Sequence, residues 1–255
     1  MTQIGFGIDI GGSGIKGARV NLETGEFIGD RIKILTPQPA TPEAVAETVA
    51  EIVRQAEWTG PLGITMPSVI KAQTALTAAN IDPSWVGIDV QKLFHTYVSP
   101  LIGEEYDITV LNDADAAGLA EVQYGVPEAK EGAVLMLTLG TGIGSALLND
   151  GVLFPNTEFG HVELDGLVAE KYAASSIKDK EELSYSQWAK RVTKVFNFYE
   201  KILNPRVIVV GGGISRKADK WIPKLEVQTP VIPAQLRNTA GIVGAALAVA
   251  QGLRP

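Results

Sequence analysis

Apolar and polar residues alternate through the first 34 positions, which predicts a three-stranded meander over residues 3–10, 15–22 and 26–35. Gly11-Gly12-Ser13-Gly14 separates the first two strands, and Glu23-Thr24-Gly25 is a hairpin-type turn between the next two. The period then lengthens. Val45, Val49, Ile52 and Val53 form one apolar stripe, and Thr41-Pro42 supplies an N-cap followed by proline at the first helical position. A second, similar pattern starts at Gly132. Residues 133–139 read as a strand, Gly140-Thr141-Gly142-Ile143-Gly144 as a glycine turn, and residues 145–148 as a strand. Asn149-Asp150-Gly151 is a hairpin turn before a returning strand over 152–154. Glycine turns between strands are common, but here the order of elements repeats as well. The pattern predicts two lobes of related topology that face one another with their glycine turns. Later elements fit a second lobe: a helix over 184–203, a strand over 206–210, then Gly211-Gly212-Gly213. A small apolar helix over 239–251 is expected to rejoin the first lobe. The division is 1–110 with 239–255, and 111–238.

The 255 residues are enough for two lobes with cores of their own. No run approaches 18 apolar residues, and the first ten lack a basic segment. The expectation is a cytoplasmic protein without membrane contact. The absence of cysteine excludes disulfides and thiolate zinc sites. A net charge of -7 argues against a general nucleic-acid binder, so any anionic ligand must be held by local backbone donors and a few cations.

Gly12-Ser13-Gly14-Ile15-Lys16-Gly17 has the G-x-G-x-x-G spacing, but a strand and hairpin follow where a dinucleotide site needs a helix. The Walker pattern fails too, since no Ser or Thr follows Lys16. What remains is a phosphate hairpin, in which glycines let backbone N–H groups approach an anion closely. Two such hairpins, at 11–14 and 140–144, predict a clamp on a phosphate chain. Asp9, just before the first, is a candidate anchor for magnesium; it is alternatively a strand-end residue that caps the turn. Asn112-Asp113 stands where a strand over 108–111 meets a helix over 114–123, so the pair either caps the helix or faces a cleft. His95, on a predicted amphipathic helix, reads as structural.

Five motifs occur in order: Asp9-Ile10-Gly11-Gly12-Ser13, Leu111-Asn112-Asp113-Ala114-Asp115, Leu139-Gly140-Thr141-Gly142-Ile143-Gly144, Glu158-Phe159-Gly160-His161 and Gly211-Gly212-Gly213-Ile214-Ser215. Together they resemble the ROK family of sugar kinases and repressors, across essentially the whole chain. The resemblance implies an α/β, two-lobed actin-like ATPase (ribonuclease H-like) fold. Within the family it leans toward members that use inorganic polyphosphate, because of the cysteine-free loop, Ser13-Gly14 in the first hairpin, and the run from Leu236 to Gly244. It therefore implies phosphoryl transfer from polyphosphate, or also ATP, to the 6-hydroxyl of glucose, with Mg2+ and in a homodimer.

Carried over residue by residue, the resemblance makes Asp113 the base, with Asp115 as the fallback. Asn80, Asn112, Asp113, Glu158, His161 and Glu170 become sugar contacts, with Glu163 as a rival for Glu170. Gly11, Gly12, Ser13, Gly14, Lys16, Gly140, Thr141, Gly142 and Gly212 hold the phosphate donor. The family's cysteine-rich zinc loop is replaced here by residues 162–168, so no zinc is expected. Arg216, Lys217 and Lys220 are either a basic track for the donor or a solvated charged face. Three rivals remain: a strictly ATP-dependent glucokinase, a non-catalytic sugar-binding module and a sugar-sensing repressor. With the phosphate motif at residue 9, the expectation is a kinase without a repressor's helix-turn-helix ahead of it.

Overall fold

The computed structural model describes residues 3–79, 81–103 and 105–255. They form two compact units, one of residues up to Ala120 plus Thr239–Pro255, the other Glu121–Asn238.

In the first unit, β1 (Ile4–Gly11), β2 (Gly14–Asn21) and β3 (Phe27–Ile34) make the expected antiparallel meander. After α1 (Pro42–Gln55) come β4 (Leu62–Met66), a short hairpin of β5 (Ile70–Lys71) and β6 (Thr74–Ala75), α2 (Val90–Ile102), β7 (Ile108–Asn112) and α3 (Asp113–Ala120). The sheet order is β3-β2-β1-β4-β7, with β4 and β7 parallel to β1.

The Thr41 hydroxyl accepts from the Ala44 N–H and starts α1, whose stripe of Val45, Val49, Ile52 and Val53 is buried. Each fully buried Val or Ile is worth roughly 1.5–3 kcal/mol over exposure, so this stripe fixes the face that packs. Near the C-terminus, α7 (Ala240–Ala250) lies against the sheet almost backbone to backbone. A Cβ at Gly7 would fall 1.9 Å from the Ile242 carbonyl oxygen, and one at Gly63 would fall 1.8 Å from that of Ala245.

The second unit repeats the plan. β8 (Ala133–Leu139), β9 (Ile143–Asn149) and β10 (Val152–Phe154) form a second antiparallel meander. A small hairpin of β11 (Glu163–Leu164) and β12 (Leu167–Val168) leads into α4 (Ala169–Ala173) and α5 (Ser175–Lys180). The long α6 (Tyr185–Leu203), β13 (Val207–Gly211) and β14 (Val231–Pro233) follow. The order β10-β9-β8-β13-β14 mirrors that of the first sheet, with the last two strands again parallel to the central one. Ser184 and Gln187 close a capping box on α6, whose buried face includes Trp188, Val192, Val195, Phe196 and Tyr199.

The expected boundary at 110/111 is corrected to 120/121. β7 pairs with β4 as far as Asn112, and α3 packs on α7 so closely that a Cβ at Gly244 would lie 1.8 Å from the Ala116 carbonyl oxygen. The Asn112-Asp113 motif therefore belongs to the first unit. Among the described residues, no helix is long and apolar enough to cross a membrane.

Candidate active site

The β1–β2 hairpin pairs Gly11 with Gly14, leaving Gly12 and Ser13 as its tip. Directly below, Asp9 and Lys16 are cross-strand partners, with Lys16 Nζ 3.2 Å from Asp9 Oδ2. Thr36 Oγ1 donates to the Gly11 carbonyl at 2.5 Å and anchors the turn from the side. Lys33 stands opposite Lys16 on β3, a second cation beside the hairpin that the sequence pattern did not single out.

Asp9 keeps its other carboxylate oxygen toward α7, where a Cβ at Gly241 would lie 3.3 Å from Oδ1 and 3.6 Å from Thr65 Cγ2. Thr65 is fully buried in β4, in register with Asp9, and its hydroxyl has no hydrogen-bond partner among the described residues. One part-exposed carboxylate beside a position without a side chain suits a hydrated magnesium ion, which keeps several waters and takes few protein ligands. Among the described residues, no group of three or more His, Asp or Glu side chains is arranged to hold a metal directly.

At the end of β7, the Asn112 side chain is fully engaged. Its Oδ1 accepts from the Ala114 N–H at 2.8 Å and the Asp115 N–H at 3.3 Å, while Nδ2 donates to the Ser68 carbonyl at 3.0 Å. Asn112 is thus the cap of α3. Asp113, the next residue, is exposed, whereas Asp115 is completely buried. Only the former is placed to meet a solute. Asn80 lies outside the described residues. His95 bonds Ser99 Oγ within α2 at 2.7 Å, a structural contact.

In the second unit, Glu158, His161 and Glu170 come together around the imidazole. His161 Nε2 lies 3.3 Å from Glu158 Oε2, and Nδ1 lies 3.7 Å from Glu170 Oε1. Partial burial pushes the Glu158 carboxyl above its ordinary range; the facing imidazole opposes this, and the Glu170 charge adds to it. The turn that carries Glu158 and His161 is rigid. Ser145 Oγ accepts from the Phe159 N–H at 3.0 Å, and the buried Tyr199 hydroxyl donates to the Phe159 carbonyl at 2.6 Å. Burial also pushes the Tyr199 hydroxyl's pKa well up, keeping it a donor.

Glu170 also borders the second glycine turn. Its Oε2 accepts from the Ile143 N–H at 3.4 Å, and a Cβ at Gly142 would lie 2.4 Å from that oxygen. Glu163 is exposed on β11 and enters neither contact of His161. Ser175 Oγ and the Ser176 N–H donate to the Gly140 carbonyl, both at 3.1 Å, and Ser176 Oγ donates to that of Thr141 at 2.7 Å. Gly212 follows the neighbouring β13 with φ +82, and a Cβ there would lie 2.4 Å from the Leu139 carbonyl oxygen. The Gly140-Thr141-Gly142 and Gly212 motifs are therefore side by side.

Glu121, absent from the sequence reading, opens the second unit in a π-helical turn. Its buried carboxylate accepts from the Gln235 N–H at 2.9 Å and the Leu236 N–H at 2.7 Å. Burial holds its pKa up, with these backbone donors opposing.

Two sheets of one topology, each with a glycine turn beside its central strand, are the plan of the actin-like ATPase fold. The chain belongs to the ROK family, whose model matches residues 5–176. It is 57% identical over 244 residues to the polyphosphate glucokinase of Mycobacterium tuberculosis (strain CDC 1551 / Oshkosh), covering 96% of this chain and 90% of the relative. Against the polyphosphate glucokinase of Mycobacterium leprae (strain TN) the identity is 55%, covering 96% and 74%. Among solved structures, the inorganic polyphosphate/ATP-glucomannokinase from Arthrobacter sp. strain KM superposes with a TM-score of 0.88 at 44% identity, covering 98% of this chain and 99% of that one.

Proposed function

We infer that this chain transfers a phosphoryl group from inorganic polyphosphate, with ATP as a second donor, to the 6-hydroxyl of glucose, giving glucose 6-phosphate. The observation that carries this reading is near-whole-chain identity to polyphosphate glucokinases, joined to an intact Asn112-Asp113 pair in which only Asp113 is exposed.

Asp113 takes the proton of the 6-hydroxyl as its oxygen bonds to the terminal phosphorus. The P–O bond to the rest of the donor breaks, and the polyphosphate leaves one phosphate shorter. A positioned base of this kind contributes roughly 10²–10⁴ in rate. Asn112 holds the first turn of α3 so that Asp113 cannot drift. Glu158 and Glu170 accept from sugar hydroxyls, and His161, fixed between them, meets a neighbouring hydroxyl. Glycines 11, 12 and 14 with Ser13 and Lys16, and Gly140, Thr141, Gly142 and Gly212, hold donor phosphates through backbone N–H groups and the one ammonium. Magnesium, bound through water at Asp9, would neutralise phosphate oxygens.

The test is glucose 6-phosphate formation from glucose with long-chain polyphosphate, with ATP, and with neither. Product with polyphosphate is expected. Product with ATP alone would make this a strictly ATP-dependent glucokinase.

A further inference from the structure

Two tyrosine rings in the second unit each carry two cations. Over Tyr172 lie Arg191, 5.1 Å from the ring centroid, and Lys194, at 5.7 Å. Each of these has its own carboxylate: Arg191 meets Glu181 at 2.5 Å and Lys194 meets Asp165 at 2.8 Å. That arrangement is closed in charge. Over Tyr185 lie Lys178 at 4.7 Å and Lys220 at 5.9 Å. Lys178 meets Asp179 at 3.0 Å, but Lys220 enters no ion pair among the described residues. Two ammonium groups share one ring with a single counter-charge. The ring face attracts each ammonium, and the two repel one another. The arrangement is open, and an anion would complete it.

Its position is equally specific. Lys178 stands on α5, the helix tied to the second glycine turn through Ser175 and Ser176. Lys220 closes the 3-10 segment Gly213–Lys220, which leaves Gly212 beside Leu139. Two segments thus depart from one turn region and meet again at Tyr185. Lys178 is no waving surface chain, since only 14% of its side chain is exposed. Holding it there costs less entropy on binding than ordering a free lysine would.

We propose that Lys178, Tyr185 and Lys220 form a subsite for the internal phosphates of a linear polyphosphate whose reacting end lies at the second glycine turn. The proposal rests on the donor reading above. An unbranched chain carries negative charge at every phosphate, so one chain offers charge to both that turn and the paired lysines. ATP ends in a nucleoside after three phosphates and gives the outer pair less to hold.

The experiment compares the parent with Lys178→Gln/Lys220→Gln, measuring Michaelis constants for long-chain sodium polyphosphate, ATP and glucose. Calorimetric binding of the same polyphosphate at several salt concentrations is the second readout. Loss of two phosphate contacts should make the slope of log K against log salt shallower by about 1.4. With that loss, the polyphosphate KM should rise about tenfold or more, and those for ATP and glucose should stay within about twofold. Should the double variant unfold, the exposed Lys220→Gln alone carries the test, with a shift of about threefold and half the change in slope. A parent that uses polyphosphate and a variant with unchanged KM and slope would overturn the subsite and leave the function standing. An equal loss with ATP would also overturn it, because the pair would then serve the nucleotide. A parent that uses no polyphosphate would overturn the donor reading and the subsite with it.

Discussion

Glu170 and His161 approach to 3.7 Å between Oε1 and Nδ1, while the other Glu170 oxygen accepts the Ile143 N–H beside the second glycine turn. One carboxylate therefore borders both the polar cluster and a phosphate-type turn. Glu170→Ala is expected to raise the glucose and donor Michaelis constants together, each about tenfold, the worth of one hydrogen bond. Glu158→Ala, whose carboxylate meets His161 and has no hydrogen bond to the second glycine turn among the described residues, should raise the glucose constant alone. Steady-state kinetics on both variants separates the two roles.

Glu158 gives a pH signature. Its folded pKa lies above the ordinary 4.5 because of partial burial, against the pull of His161 and with a push from Glu170. As pH falls through that raised value the carboxylate is lost, and the glucose KM should rise. In Glu158→Gln this acid limb should vanish. The stability sign is opposite to that of a salt-bridged acid. The contribution is full below 4.5 and is lost as pH rises through the folded value, so the glutamine variant should melt no lower than the parent at neutral pH. Glucose KM from pH 8 to 5, with melting curves, checks both statements.

Asp113→Asn should lower turnover roughly 10²–10⁴-fold with an unchanged melting temperature, since the side chain is exposed and Asn112 supplies the cap. Asp115→Asn should do the reverse, because a fully buried side chain is felt first in stability. Turnover of Asp113→Asn within tenfold of the parent would move the base elsewhere.

Chelation should abolish activity and added magnesium restore it. Asp9→Asn should raise the magnesium needed for half-maximal rate about tenfold, as one carboxylate ligand is lost. It also removes the carboxylate partner of Lys16 from a pair whose side chains are 22% and 26% exposed, so the melting temperature should fall as well. A magnesium titration of parent and variant decides the matter.

Much of this was legible in the sequence because local chemistry forced it. Glycines between alternating segments mark both meanders, Thr41-Pro42 starts α1, and Ser184 with Gln187 starts α6. β4 left no such signal. Leu62–Met66 is buried on both faces as an interior parallel strand, so it shows no alternation. The boundary near 120 was hidden for a similar reason, since α3 is held by α7 from the far end of the chain. The site divides the same way. Glu158, His161 and Glu170 could be lined up by family motif. Thr65 is a mid-strand threonine, and the partner of Lys178 over Tyr185 lies beyond a further helix and strand, so no spacing rule reaches either.

The two glycines at the second phosphate-type turn separate structure from function. At Gly212 the backbone sits at φ +82, where L side chains are strained, and a Cβ would lie 2.4 Å from the Leu139 carbonyl oxygen. Gly212→Ala must therefore move β13 against β8, and should cost about 2 kcal/mol or more. Gly140 is the contrast: its φ is ordinary and nothing lies within 4 Å of where a Cβ would stand. Gly140→Ala should leave the melting temperature within a degree or two, since surface changes of this kind fall within about 0.5 kcal/mol. If that open space is where donor phosphates approach the backbone, the added methyl blocks them, and donor KM should rise tenfold or more, about 1.4 kcal/mol. Glucose KM should hardly move. An unchanged donor KM in a stably folded Gly140→Ala would take this turn out of the phosphate site.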